Sequence, residues 1–229
     1  MKTLKYLSLL AITPYILSQE TDKNKLYIGL SCGASVIDHY RSREFNYTHN
    51  MTHIHKSHRI RPLIETELGI LHNLNEFKCL GIGLFARKIL TKSNIAKSIG
   101  DGNGSNNWIM KSQFREKYAL GITGNFYYNL SKKSSIYIKA GAVFKRITIN
   151  RTFEETSNNF SNTTYFDKKL LLPVIGVGFK TQITDRAFCT FEYSHELPVK
   201  KFKLQKEGIE ITNCKSGNGI VKLGIGFNL

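Results

Sequence analysis

Beyond its first eighteen residues, the 229-residue chain has no apolar run near the ~20 residues that a membrane-spanning helix needs, which excludes a helical membrane protein. It has only four prolines against eighteen glycines, and Tyr, Phe, Ile, Thr and Asn are frequent. That balance favours strands and turns over helices. The four cysteines, Cys32, Cys79, Cys189 and Cys214, form no CxxC pair, so neither a zinc knuckle nor a thioredoxin-like motif is present. No structural disulfide is expected from residues so spread. Acidic residues are scarce: seventeen Asp and Glu face thirty-three Lys and Arg, for a formal charge of +16. An excess of this size points to a polyanionic partner or to a solvated basic surface.

Enzyme signatures are missing too. Glycines recur as GIG and GVG around Gly81, Gly176 and Gly224, but inside strand-like segments with no following helix, so they are not dinucleotide fingerprints. There is no GxSxG, HExxH or Walker sequence. His195 beside Glu196 reads as an ion pair at the rim of the fold rather than a catalytic pair. No enzyme activity and no cofactor are expected.

What is present begins with MKTLKYLSLLAITPYILS. Lys2 and Lys5 lead an apolar core from Leu7 to Leu17, and Ser18 precedes a polar stretch, the layout of a secretory signal. Residues 1–18 are expected to direct export and residues 19–229 to form one domain. An exported chain is not expected to bind nucleic acid.

The dominant pattern afterwards is alternation with a period of two. In KLYIGLSCGASVI, Leu26, Ile28, Leu30, Cys32, Ala34 and Val36 share one face, while Tyr27, Gly29, Ser31, Gly33 and Ser35 share the other. The same split recurs, giving eight expected strands near 25–37, 61–72, 77–88, 115–129, 135–147, 170–181, 187–195 and 218–229. Short turns at 73–76, 130–134 and 182–186 alternate with long polar segments at 38–60, 89–114, 148–169 and 196–217. Long loops on one side and tight turns on the other, across an even number of antiparallel strands, give an all-β, eight-stranded transmembrane barrel. A soluble sandwich would place its greasy face in the core and leave the charges of the other face in water. Here the polar faces carry Glu65, Glu67, Arg87, Lys139, Lys145, Lys180, Glu192 and Lys222 between glycines, a set that a small barrel interior can pair internally.

The chain ends in KLGIGFNL, with Lys222, Gly224, Phe227 and Leu229 at polar, glycine, aromatic and terminal apolar positions. These residues resemble the terminal strand signal of the small outer-membrane barrels of Gram-negative bacteria, such as the OmpA transmembrane domain, OmpX and the opacity-type surface proteins. In that family the last residue is more often Phe, and Leu229 departs from it. The resemblance implies localisation in the bacterial outer membrane, among lipid and lipopolysaccharide. It also implies that the barrel-assembly machinery reads the signal, and that the protein acts through extracellular loops as an adhesin or surface antigen on a membrane-stabilising scaffold. A small pore for ions or solutes is the alternative from another class.

Two groups of residues follow from this frame. Inside, Glu65, Glu67 and Glu192 are expected to pair with Arg87, Lys139, Lys145 and Lys180 and plug the lumen; the other use of the same residues is a narrow ion path. Outside, Arg41, Arg43, Lys56 and Arg59 in the first long loop and Lys200, Lys201, Lys203 and Lys206 in the last are candidate anion-binding residues. Their targets would be lipopolysaccharide phosphates, sulfated glycans or an acidic host-surface protein. His39, His49, His53, His55 and His58 crowd the first loop at ligand-like spacings. No acidic or thiol ligand adjoins them, so no metal site is expected.

Overall fold

The computed structural model describes residues 24–38, 42–45, 52–53, 60–100, 107–155, 160–198, 202–206, 209–214 and 217–229. Its strands run β1 (Asn24–Asp38), β2 (Ser42–Phe45), β3 (Thr52–His53), β4 (Ile60–Asn73), β5 (Lys78–Ile89), β6 (Ser93–Gly100), β7 (Asn107–Asn129), β8 (Ser134–Glu155), β9 (Phe160–Gln182), β10 (Ala187–Glu196), β11 (Phe202–Lys206), β12 (Ile209–Cys214) and β13 (Gly217–Asn228). Among the described residues no helix is long and apolar enough to cross a membrane.

Eight of these strands close a barrel. The order β5-β4-β1-β13-β10-β9-β8-β7 is completed by a β5–β7 pairing that joins the two ends of the sheet. The last strand lies antiparallel to the first, with Tyr27 opposite Asn228 and Asp38 opposite Gly217. Leu229 N–H donates to the Leu26 carbonyl at 2.8 Å, so the pairing continues to the final residue. Closure leaves no unpaired edge inside lipid, where an unsatisfied backbone group would cost several kcal/mol.

Three tight turns lie at one end, each tied by a side chain chosen for the purpose. The Asn75 side-chain oxygen accepts from Phe77 N–H at 2.9 Å, the Ser131 hydroxyl from Ser134 N–H at 3.1 Å, and the Thr184 hydroxyl from Ala187 N–H at 2.9 Å. These are the short side-chain-to-backbone bonds that Asn, Ser and Thr bring to turns.

Alternation sorts the wall. On β5, Leu80, Ile82, Leu84 and Ala86 face out while Cys79, Phe85, Arg87 and Ile89 are buried inside. Ile138, Val177, Leu223 and Ile225 are likewise more than half exposed on other strands, forming an apolar belt. From Ile136 to Arg146 strand β8 advances about 34 Å at about 3.4 Å per residue, or about 26 Å along the membrane normal at a tilt near 40°. That matches the ~25 Å apolar band of an outer-membrane barrel. Glycines inside the wall make room for aromatic rings. A Cβ at Gly178 would strike the Tyr137 ring, and one at Gly69 would strike Tyr27.

The walls rise well past the belt, further than sequence alternation indicated. Strand β8 continues to Glu155 and β9 begins at Phe160, with Glu155 opposite Phe160 in one long hairpin. The expected loops at 89–114 and 148–169 are therefore largely paired strand, with β6 lying against β7 from Ser93 to Gly100. Polarity inverts there: Ile147, Ile149 and Phe166 are buried inside, while Asn150, Tyr165 and Asp167 lie outside. Without lipid on the outer face, the apolar signal moves to the inner one. Two further segments, from the first and last long connections, meet in a separate sheet of order β11-β12-β2-β3, with Glu210 opposite Phe45 and Thr212 opposite Arg43.

Candidate functional site

The lumen is filled in layers. Nearest the turn end, Tyr27, Leu71, Cys79, Tyr127, Tyr137 and Phe188 form an apolar ring. Above it lies the first ionic layer. Lys139 Nζ stands 2.9 Å from Glu192 Oε2 and 3.3 Å from Glu67 Oε2. Lys222 pairs with Glu65 and sits 3.1 Å from Glu192 Oε1. The Tyr137 hydroxyl donates to Glu192 at 2.9 Å, and that of Tyr27 to Glu67. The void left among these groups is about 30 Å³, room for a water or two.

A packed layer of Phe85, Ala119, Val143 and Leu172 separates this from a second ionic layer. There, Lys145 Nζ donates to Glu196 Oε2 at 2.7 Å, and Arg87 pairs with Glu196 and, at 3.3 Å, with Glu116. Asn218 donates its amide to Glu116 at 3.3 Å. Arg61 follows toward the loop end, 1% exposed, stacked 5.5 Å from the Phe114 ring. Its guanidinium nitrogens have no hydrogen-bond partner among the described residues.

The interior pairing differs from the expected one in three ways. Among the described residues Lys180 joins no carboxylate; its Nζ lies 3.9 Å from the Phe188 ring centroid and under 6 Å from those of Tyr27 and Tyr127. It sits one layer too close to the turn end to reach the glutamates. Arg87 and Lys145 turn to Glu116 and Glu196 rather than to Glu65, Glu67 or Glu192, because Phe85 and Val143 intervene. Glu196 does not share a rim pair with His195: alternation buries Glu196 completely inside and points His195 the other way.

Sequence reasoning missed Glu116. Counting back by twos from the inward Ala119 puts Lys117, not Glu116, inside. A register shift between Glu116 and Tyr118 in the β7–β8 ladder reverses the phase. Glu116 therefore enters the lumen, and Lys117 faces out, 3.9 Å from Asp167.

Outside, the upper edge of the belt carries a collar of cations: Lys88, Arg115, Lys117 and Lys169 are exposed and Arg146 half-buried. Arg146 Nε donates to both Asp167 oxygens at 2.9 Å, and these bonds hold the Asp167 carboxyl below its usual pKa range. The same partner raises the Arg146 guanidinium. Of the candidate loop residues, Arg43 falls in β2 and Lys203 and Lys206 in β11. Arg41, Lys56, Arg59, Lys200 and Lys201 lie outside the described residues, as do residues 1–18 and His39, His49, His55 and His58; His53 falls in β3. Along the last strand, Lys222 is buried in the lumen, Phe227 and Leu229 face out, and a Cβ at Gly224 would press on the Ser31 and Thr190 hydroxyls. Cys32, Cys79 and Cys189 are free thiols. Among the described residues no group of His, Cys, Asp and Glu could hold a metal ion.

A closed antiparallel barrel, greasy outside and ionic within, with tight turns at one end and tall hairpins at the other, is an outer-membrane β-barrel. No protein-family model matches the chain, and no curated protein matches it in sequence. Among solved structures it is similar to Ail, the attachment invasion locus protein of Yersinia pestis, at 11% identity over 89% of this chain and 98% of that one, with a TM-score of 0.37. It is also similar to OprG of Pseudomonas aeruginosa, at 12% identity over 90% and 97% and a TM-score of 0.47. The outer-membrane protease OmpT of Escherichia coli matches at 10% identity over 92% and 98%, with a TM-score of 0.48. Membership of the class rests on the chain's own strand pairing and burial, not on these distant likenesses.

Proposed function

We propose that the protein works at its loop end as an adhesin or surface antigen for sulfated or phosphorylated surfaces, while its barrel occupies and stabilises the outer membrane. The observation that carries this reading is the filled lumen: two ionic layers are separated by a packed layer, and the void beside the first is about 30 Å³. Little remains for a solute to pass through, whereas β7, β8 and β9 extend for 23, 22 and 23 residues and lift a large surface beyond the belt.

Charge supports the choice of ligand. The loop cations Arg41, Arg43, Lys56, Arg59, Lys200, Lys201, Lys203 and Lys206 would meet sulfated glycan or an acidic host protein, and the collar around Arg146 would meet lipopolysaccharide phosphates. The β2–β12 pairing supports treating the first and last connections as one unit. Residues 1–18 serve on this reading as the export signal of a domain spanning 19–229. Lys222, Gly224, Phe227 and Leu229 present the strand that the assembly machinery recognises. No catalysis is assigned, since the one local pair, His195 and Glu196, divides across the wall.

The test is binding of refolded protein to immobilised heparin. Replacing Arg41, Arg43, Lys56 and Arg59 with serine should weaken binding at least tenfold, with an unchanged unboiled gel mobility. Equal binding by the two proteins would remove the loop assignment.

A further inference from the structure

At the turn end the barrel opens into a vestibule of about 700 Å³, inside the ~300–1,000 Å³ range of small-molecule sites. Four lysines line it, Lys25, Lys132, Lys133 and Lys180, against a single acid, Glu76. Three of them come from β1 and from the 130–133 turn, where solvent would satisfy them. Lys180 differs. It is 9% exposed and forms the inner wall, resting on Phe188, Tyr127 and Tyr27.

Each of the other lysines buried in the lumen, Lys139, Lys145 and Lys222, has a carboxylate within 3 Å or closer. Among the described residues none stands at ion-pairing distance from Lys180. Ring faces attract a cation but accept no strong hydrogen bond from it, so the ammonium keeps donors unspent on the side that opens to the vestibule. Hydroxyl and amide groups of Ser135, Asn129 and Gln182 complete the wall. A cation held over aromatic rings at the foot of a basic, hydrogen-bonding cup is suited to an oxyanion with a polar body.

We propose that this vestibule is a binding site for a small soluble molecule bearing a carboxylate or phosphate group, with Lys180 as its anchoring cation. The site faces the side of the membrane opposite the long hairpins, and it is independent of the loop reading. Ligand would enter from the turn end and stop at the aromatic ring, because the ionic layer behind it is packed. The anion would rest on Lys180, and Lys25, Lys132 and Lys133 would screen its remaining charge.

The experiment uses the chain refolded in a zwitterionic detergent with lysine labelled at Cε, titrated separately with citrate and with inorganic phosphate at constant ionic strength. A saturable shift of the Lys180 resonance is expected for at least one probe, with Lys111, paired with Glu154 on the far hairpins, as the reference that does not saturate. Lys180→Met, read through the Lys25 and Lys133 resonances of the same vestibule, should weaken binding about tenfold or more, the loss expected for one charged hydrogen bond. Lys25→Ser/Lys133→Ser, whose positions tolerate polar residues, should weaken it less. If Lys180→Met fails to show the unboiled band, the wild-type titration and the double variant still decide. Shifts that rise linearly for all lysines, or an unresponsive Lys180, overturn the proposal.

Discussion

Lys145 and Glu196 meet inside the barrel at 2.7 Å, and neither side chain has exposed surface. One comes from β8 and the other from β10, so the bond bridges the intervening β9 rather than joining neighbouring strands. Arg87 and Glu116 close the same layer. Glu196→Gln should therefore leave two cations facing one carboxylate and cost about 3–5 kcal/mol. Urea unfolding of the refolded barrel measures this. Adding Lys145→Met should recover part of the loss, since the unpaired charge is then gone.

Arg61 should respond with the opposite sign. Its nitrogens find no hydrogen-bond partner among the described residues, and Phe114 offers only a ring face. Arg61→Met removes a buried guanidinium without hydrogen-bond partners and keeps most of the packing volume, so the urea midpoint should hold or rise. A loss above about 1 kcal/mol would show that the guanidinium has a partner of real strength.

Gly178 is fixed by Tyr137, whose ring and hydroxyl occupy the space a Cβ would need. Gly178→Val should cost about 1–3 kcal/mol or more, as overpacking does. It should also disturb Glu192, which Tyr137 holds by its hydroxyl. Tyr137→Phe/Gly178→Val should recover little of the loss, because the ring carbons still stand where the Cβ would go. The measurement is the fraction of chains reaching the fast-migrating unboiled form.

What the sequence made legible stops at the edge of the membrane. Within the belt, lipid demands apolar side chains outside, so Ile136, Ile138 and Phe144 alternate visibly with Tyr137, Lys139 and Lys145. Past Arg146 the outer face carries Thr148 and Asn150, while Ile147 and Ile149 turn inward. The strand continues, but the pattern that announced it reverses, so the hairpin reads as loop. The charged interior was visible as a set of residues, yet its partners depend on height in the lumen. Lys180 stands below the glutamates, and Glu116 is reached only through the bulge at Lys117, which leaves no mark in alternation.

The Arg146–Asp167 pair gives a pH dependence outside the membrane. Because Asp167 is held below its usual pKa range, its contribution to the β8–β9 hairpin is present above the unfolded-state value and is lost as pH falls through the lower folded value. Carboxyl-carbon NMR should place its midpoint under ~3.9, the ordinary aspartate value. Arg146→Gln should return it toward that value. High salt should do so in part, since solvent reaches both groups.

The account rests on a lumen closed by its own side chains, and single-channel recording in a planar bilayer tests that most directly. Refolded wild-type protein should insert without discrete conductance steps. Even Glu192→Ala/Lys139→Ala/Lys222→Ala should show none, because the packed layer of Phe85, Val143 and Leu172 and the Lys145–Glu196 layer still close the lumen. Stable, ion-selective steps from the wild-type protein would contradict the account and make the paired glutamates and lysines the lining of a pore.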